Sequence, residues 1–279
     1  MKRRYPILLI TLAALLCTSC SGDYYVANSF LKKHKRHSKS ATEKIYVCLP
    51  QQIFHTNTSN WDLLDGLSEQ QQDSVAKEWN RILPKVNDSI FLGQFANSLL
   101  YVLSKTHIPI VIVDEERLLP PPSKDNLILD VYALEAEEFM EHTRSDFYTR
   151  RGLYYAYDHD LRHFSANAWL QLNFDTSYFF KNVEMSEEAT FTGTVLSLKD
   201  DKVTMKVEQT NLTVNDAYLA ARQLGEDCAV NYIEKVVHEY IKAKKGTNEW
   251  YLYYSPNSNE FVMMAPYKDD NPYSFEKIK

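Results

Sequence analysis

Residues 163–174 alternate strictly between apolar and polar side chains, and this pattern constrains the fold more than any other feature of the chain. Because successive side chains of a strand point to opposite faces, the segment is predicted to be a strand with one core face and one polar face. The apolar set is Phe164, Ala166, Ala168, Leu170, Leu172 and Phe174. The opposite set is polar apart from its tryptophan and consists of His163, Ser165, Asn167, Trp169, Gln171 and Asn173.

The polar side of this strand is a candidate binding face, formed by Trp169, Asn167 and Gln171. A large aromatic side chain among amides can bind a glycan or a protein partner, since tryptophan offers a wide contact area with little loss of conformational entropy. A helix that covers this face is the alternative interpretation.

The remaining patterns predict one α/β domain of the α+β type, with a mixed β-sheet flanked by helices, over residues 45–279. Apolar runs and turn residues predict strands, and the 3.6-residue spacing of apolar positions predicts helices. In chain order we expect a strand at 44–49, a polar loop to 59, helices at 68–83 and 88–103, and strands at 108–113 and 127–134. The strand at 163–174 follows, then hairpins at 190–208 and 250–264 around a helix at 213–243, and a loop-like tail from 266.

The first strand, the helices after it and the apolar run at 108–113 match a βαβ unit, so these two strands are expected to be parallel. The run at 108–113 is predicted to be buried on both faces.

The N-terminus has the composition of a secretory signal peptide over residues 1–19. Lys2, Arg3 and Arg4 precede an apolar run at 7–16, which is far shorter than the roughly 20 residues of a membrane-spanning helix. Small residues then lead to Cys20.

Small residues directly before Cys20 resemble the lipobox of bacterial lipoproteins, although Cys17 stands where that motif usually has leucine. The resemblance implies cleavage before Cys20 and its lipidation, which anchors the chain in a membrane. Ser21 in place of aspartate implies the outer membrane, on its periplasmic or its surface side. Cleavage near Ser19 by an ordinary signal peptidase is the alternative. The order of elements also loosely resembles envelope lipoproteins whose α/β domains serve as assembly or activation partners.

A basic segment, residues 20–44, separates this anchor from the domain. Between Lys32 and Lys44 the chain carries six Lys or Arg and one Glu, whereas the net charge of the whole chain is −6. A run with so few apolar residues is predicted to be a flexible tether. It either lies against anionic lipid headgroups or is a solvated spacer. In an exported protein it does not indicate nucleic-acid binding.

Two cysteines, Cys48 and Cys228, remain in the predicted domain. Export to an oxidising compartment makes a disulfide between them a candidate, and two buried thiols are the alternative. Such a distant pair does not suggest a zinc site.

Three clusters were considered for chemistry or binding, and each has a simpler structural interpretation. Asp158, His159, Asp160 and His163 could ligate a metal, but the aspartates are expected in a turn before the strand. The acidic cluster after Leu134 could supply an acid and a base, but it is expected to be an exposed face; its members are Glu135, Glu137, Glu138, Glu141 and His142. The tyrosine-rich hairpin at 250–264 could accept an added strand.

The chain lacks G-x-S-x-G, Walker A, G-x-G-x-x-G and H-E-x-x-H motifs, so neither a cofactor nor a metal is expected. We therefore predict a membrane-anchored, non-enzymatic binding or assembly component of the cell envelope with an envelope protein as partner. The alternatives are an envelope hydrolase that acts on glycan or peptide through Asp158, His159 or Glu138, and a lipoprotein that binds a small ligand or polysaccharide.

Overall fold

The computed structural model describes residues 44–57, 68, 71, 80–121, 123, 126–148, 154–173, 178–194, 204–237, 251–255, 260–264 and 276–278. The strands within these ranges are β1 Lys44–Cys48, β2 Phe54–Asn57, β3 Ile110–Val113, β4 Asn126–Tyr148, β5 Tyr154–Leu172, β6 Tyr178–Ser186, β7 Ala189–Thr194, β8 Thr204–Gln209, β9 Tyr251–Ser255, β10 Glu260–Met264 and β11 Glu276–Ile278. The α-helices are α1 Asp88–Ser104 and α2 Val214–Tyr232. Short helical turns are Leu83–Lys85, Glu116–Leu118 and the π-type turn Ile233–Val237.

Seven strands form one mixed sheet in the order β11-β6-β5-β4-β1-β3, and β2 pairs with β4 beside this path. β1 runs parallel to both β3 and β4, and β2 is also parallel to β4. The remaining pairs, β4 with β5, β5 with β6 and β6 with β11, are antiparallel. The predicted fold class, a mixed sheet with flanking helices, is confirmed, as is the parallel pairing of β1 with β3.

The two α-helices pack on one face of the sheet and on each other. From β5 this face receives Phe164, Ala166, Ala168 and Leu170, none of which is exposed to solvent. Phe91 of α1 contacts Phe164 edge to face, with ring centroids 6.4 Å apart. The alternation at 163–172 therefore places the apolar set in the core, as predicted.

Both helices begin at side-chain caps. The Asp216 carboxylate of α2 accepts hydrogen bonds from the N–H and the hydroxyl of Thr213, each at 2.7 Å. For α1 the cap is Asn87, whose Oδ1 accepts from the N–H of Ile90 at 3.1 Å.

A β-bulge in β4 sets which side chains reach each face. The pairing register with β5 shifts between Val131 and Ala133, so one extra residue enters β4 there. The hydrophobic core receives Leu127, Leu129 and Val131 before the bulge, and Leu134 and Ala136 after it. Tyr132, at the bulge itself, is 61% exposed.

Several predicted boundaries are wrong. β4 continues to Tyr148 and β5 starts at Tyr154, because the two strands satisfy each other's backbone groups as a long hairpin without needing an apolar face. Residues 54–57, predicted as loop, form β2.

The run at 108–113 is also not buried on both faces, since β3 is an edge strand and Ile112 is 54% exposed. Three residues of the predicted tail, Glu276–Ile278, pair with β6 as β11.

The hairpins β7–β8 and β9–β10 are confirmed. Most of the predicted helix at 68–83 lies outside the described residues, as do the signal segment and the tether. Among the residues that the structure covers, no helix has both the length and the apolar character that crossing a membrane requires.

Candidate functional site

An open groove of about 500 Å³ lies where β2, β4, β5 and β6 meet. We call it the Trp169 groove and define it by its lining residues, which are Phe54, Tyr132, Ala133, Glu135, Trp169 and Tyr178. Its volume falls within the range of small-molecule sites. Three of its aromatic side chains are unusually accessible, with exposed fractions of 61% for Tyr132, 53% for Phe54 and 42% for Tyr178.

Strand alternation and the β4 bulge assemble this aromatic surface. Trp169 lies between the core residues Ala168 and Leu170 along β5, so it points to the face opposite the helices. Tyr132 and Tyr178 stand 5.6 Å apart between ring centroids, and Trp169 stands 5.2 Å from Phe180. The rings thus support one another while their outer faces remain in solvent.

The polar end of the groove is the carboxylate of Glu135. The hydroxyl of Thr56 on β2 donates to Glu135 Oε1, and Asn167 Nδ2 on β5 donates to Oε2 at 3.0 Å. Asn167 Nδ2 also donates to Glu137 Oε2 at 3.1 Å, and the Ser165 hydroxyl donates to Asn167 Oδ1 at 2.7 Å. This network holds the Glu135 side chain in one position at the edge of the aromatic surface.

The structure places the three residues of the predicted binding face differently. Trp169 lines the groove and is partly buried. Asn167 is only 4% exposed and its amide is used within the sheet, so it positions Glu135 and does not reach the surface. Gln171 is partly buried and pairs with Tyr178 across β5 and β6, next to the groove. The described residues that line the groove with Trp169 all belong to strands, and none of them comes from a helix.

The same face of the sheet continues to His163, which is buried between two glutamates. Its ring stacks on Phe139 at 4.8 Å between centroids, with an interplanar angle of 8°. Nδ1 lies 2.5 Å from Glu184 Oε1, and Nε2 lies 3.1 Å from Glu141 Oε2. These contacts tie β4, β5 and β6 together.

The residues considered for a metal site do not come together as one. Asp158 and Asp160 lie within β5, not in a turn as predicted, and they point into solvent. His142 Nδ1 contacts Asp160 Oδ1 at 2.8 Å, and His159 packs on Phe191. Within the described residues no cluster of three or more His, Cys, Asp or Glu has a geometry that could hold a metal ion.

Glu138 is a buried structural residue, contrary to the prediction of an exposed acidic face. Its carboxylate accepts hydrogen bonds from the backbone N–H groups of residues 81–83 at 2.8 to 3.3 Å. It also accepts from Arg162 Nη1 at 2.6 Å, and its side chain is 1% exposed. Asp158 is exposed on the β4–β5 hairpin and His159 is half-buried against Phe191, so neither lies beside Glu138 and the three groups do not form one site.

Cys48 and Cys228 are both buried and both free. Cys228 lies on α2 and belongs to the core between the helices and the sheet. Cys48 alternates with the core residue Val47 along β1, so it points to the other face of the sheet. The structure therefore does not bring the two thiols together.

The environment of Cys48 disfavours the thiolate form of its side chain. Burial, followed by the neighbouring Asp130 carboxylate, raises the pKa of Cys48 to about 12, and burial raises the pKa of Asp130 to about 6. Burial also holds the pKa of Cys228 well above its usual value. Cys20 lies outside the described residues.

Sequence reasoning missed Phe54, Tyr132 and Tyr178 as groove residues. Phe54 lies on a four-residue strand whose parallel pairing with β4 leaves no local signal, and Tyr132 is turned outward by the bulge. Glu135 belongs to the acidic cluster that the sequence singled out, but its proximity to Trp169 depends on the pairing of β4 with β5.

No protein-family model matches this chain, and no curated protein matches it. One solved structure that resembles it is that of a protein from Helicobacter pylori described as a neuraminyllactose-binding hemagglutinin homolog. The match has a TM-score of 0.24 and 11% sequence identity, and it covers 73% of this chain and 84% of that chain. The function of the chain is therefore inferred from the geometry of its own site.

Proposed function

We propose that this chain is a non-enzymatic binding protein of the cell envelope, which captures its ligand or partner on the exposed aromatic rings of the Trp169 groove. The accessibility of these rings is the observation that carries the proposal. Covering such apolar surface contributes about 25 cal/mol for each Å² removed from water, before the costs of association are subtracted.

The buried ionisable groups of β4 and β5 support binding over catalysis. A catalytic site needs a nucleophile or a proton donor and acceptor that converge on one point. Here the buried Glu138 is committed to Arg162 and to backbone N–H groups, while His163 contacts two glutamates. Among the lining residues that the structure describes, the groove has one carboxylate, that of Glu135.

Anchoring at the outer membrane through a lipidated Cys20 is the second part of the proposal. It rests on the lipobox resemblance of residues 17–20 and on Ser21. A tether over 20–44 would let the groove search for an envelope partner while its anchor stays in the bilayer.

Affinity capture from cross-linked cells tests the proposal. We expect the wild-type chain to retain an envelope component, and Trp169→Ala to lose it by at least about thirtyfold, the effect of truncating a central interface aromatic. Leu219→Ala is the matched control, because Leu219 is 49% exposed on α2, away from the groove. Equal retention by Trp169→Ala, or recovery of no envelope component, would contradict the proposal.

A further inference from the structure

The described lining of the Trp169 groove favours positive charge over negative charge. It has four aromatic side chains, Phe54, Tyr132, Trp169 and Tyr178, and one carboxylate, that of Glu135. Aromatic ring faces carry partial negative charge, so a cation within about 6 Å of a ring centroid is attracted to it. Neither Lys nor Arg is among the described residues that line the groove.

Hydrogen bonds from described residues hold the Glu135 carboxylate in place. Its two described hydrogen-bond partners, Thr56 and Asn167, are uncharged donors. In the part of the chain that the structure describes, no Lys, Arg or His forms an ion pair with Glu135. The shared amide of Asn167 brings the second carboxylate, Glu137, to the same corner.

We infer that the Trp169 groove binds a small organic cation of the alkylated ammonium class, with its charge between the aromatic faces and Glu135. The inference deepens the proposed function and depends on it, because it names the ligand chemistry of the same groove. The charge of the whole domain favours the same ligand. The net charge of the chain is −6 and residues 1–44 carry +7, so residues 45–279 carry −13.

The apolar lining selects an alkylated ammonium over a bare one. A primary ammonium ion loses strong hydration when it enters a site that offers few hydrogen-bond acceptors. Alkyl groups on the nitrogen spread the charge and present apolar surface, which packs on aromatic rings; this is how aromatic cages hold quaternary ammonium ions. Glu135 supplies the counter-charge. The hydrogen bonds from Thr56 and Asn167 hold its carboxylate in position for this role.

The test is calorimetric titration of the full-length lipidated protein, in a non-ionic detergent, with choline and with its neutral carbon isostere 3,3-dimethylbutan-1-ol. We expect choline to bind at least about tenfold more tightly than the neutral alcohol. Glu135→Gln should weaken choline about tenfold and leave the alcohol unchanged. Tyr178→Leu, at an exposed position where folding is not at risk, should also reduce the preference for choline. Asp114→Asn, at an exposed acidic residue on the loop after β3, is the control and should bind choline as the wild type does.

Equal affinity for choline and the neutral alcohol would overturn the inference, and so would the absence of choline binding. Either result leaves the proposed function standing if envelope capture still depends on Trp169. Loss of that dependence would instead remove the proposed function and the inference together.

Discussion

Asn167 holds two carboxylates with one amide nitrogen, which makes it a positioning residue for the groove. Asn167→Asp would replace that donor by a third negative charge in a buried place. We expect it to lower the free energy of unfolding by about 2 kcal/mol at pH 7, the cost of lost buried hydrogen bonds, and by less at pH 5. Urea denaturation at both pH values measures the effect.

Asn182→Asp is the matched control for this substitution. Asn182 faces Asn167 across the β5–β6 ladder but is exposed, so the same change should alter stability by less than about 0.5 kcal/mol. Similar effects at both positions would show that the buried network does not position Glu135.

Asp130 makes stability depend on pH. Burial raises its pKa from 3.8 to about 6, so the folded protein binds this proton more tightly than the unfolded chain does. The domain therefore gains stability from this residue as pH falls from 6 to 4 and loses it as pH rises. Asp130→Asn should be more stable than the wild type at pH 7.5, by up to about 3 kcal/mol, with no advantage at pH 4.

Thermal or urea unfolding across pH 4 to 8 checks this prediction. Asn keeps an oxygen that can accept from Cys48, so packing is conserved. Asp114→Asn changes an exposed carboxylate nearby and should leave stability within about 0.5 kcal/mol of the wild type throughout. If the difference in stability between Asp130→Asn and the wild type were the same at both ends of the pH range, the account would be refuted.

At the scale of elements, α1 and α2 cross closely at Gly225. A Cβ atom there would lie 2.2 Å from the carbonyl oxygen of Phe95 and 2.4 Å from Ser98 Oγ. Gly225→Ala should therefore destabilise the domain by about 2 kcal/mol or more, because the helices must separate. Gly93→Ala, on α1 with no atom within 4 Å of the added Cβ, should stabilise it by about 0.5 to 1 kcal/mol.

If α1 and α2 pack closely at Gly225, the denaturation midpoint should fall below that of the wild type for Gly225→Ala and rise above it for Gly93→Ala. A stabilising Gly225→Ala would mean that α1 and α2 do not pack as described.

The sequence predicted the elements that carry a local periodic signal. The alternation at 163–172 identified the core face of β5, and Thr213 marked the start of α2. The extension of β4 to Tyr148 was not predictable in the same way, because a two-stranded hairpin can be polar on both faces.

The groove could be predicted only in part. Trp169 stood out because it is a large aromatic residue on a polar strand face. Its neighbours come from β2, β4 and β6, and their positions depend on long-range pairing and on the bulge at Tyr132. A single sequence contains no local signal for such a bulge, so the aromatic surface emerges only from the assembled sheet.

At the scale of the whole molecule, the proposed anchor predicts a change in localisation. Cys20→Ser removes the thiol that would carry the lipid, so the chain should move from the membrane fraction to the soluble fraction of the envelope. Cys17→Ser, which keeps Cys20, should remain with the membrane. Fractionation and mass spectrometry of the mature N-terminus measure both outcomes, and membrane retention of Cys20→Ser would rule out the lipid anchor.

Fluorine NMR of the protein labelled with 5-fluorotryptophan tests the groove most directly, since the chain has four tryptophans and Trp169→Phe assigns the resonance of Trp169. On addition of solubilised envelope extract, we predict that the Trp169 resonance shifts or broadens while the other three stay in place. A Trp169 resonance that does not respond, while the extract still binds the protein, would contradict the assignment of the groove as the binding site.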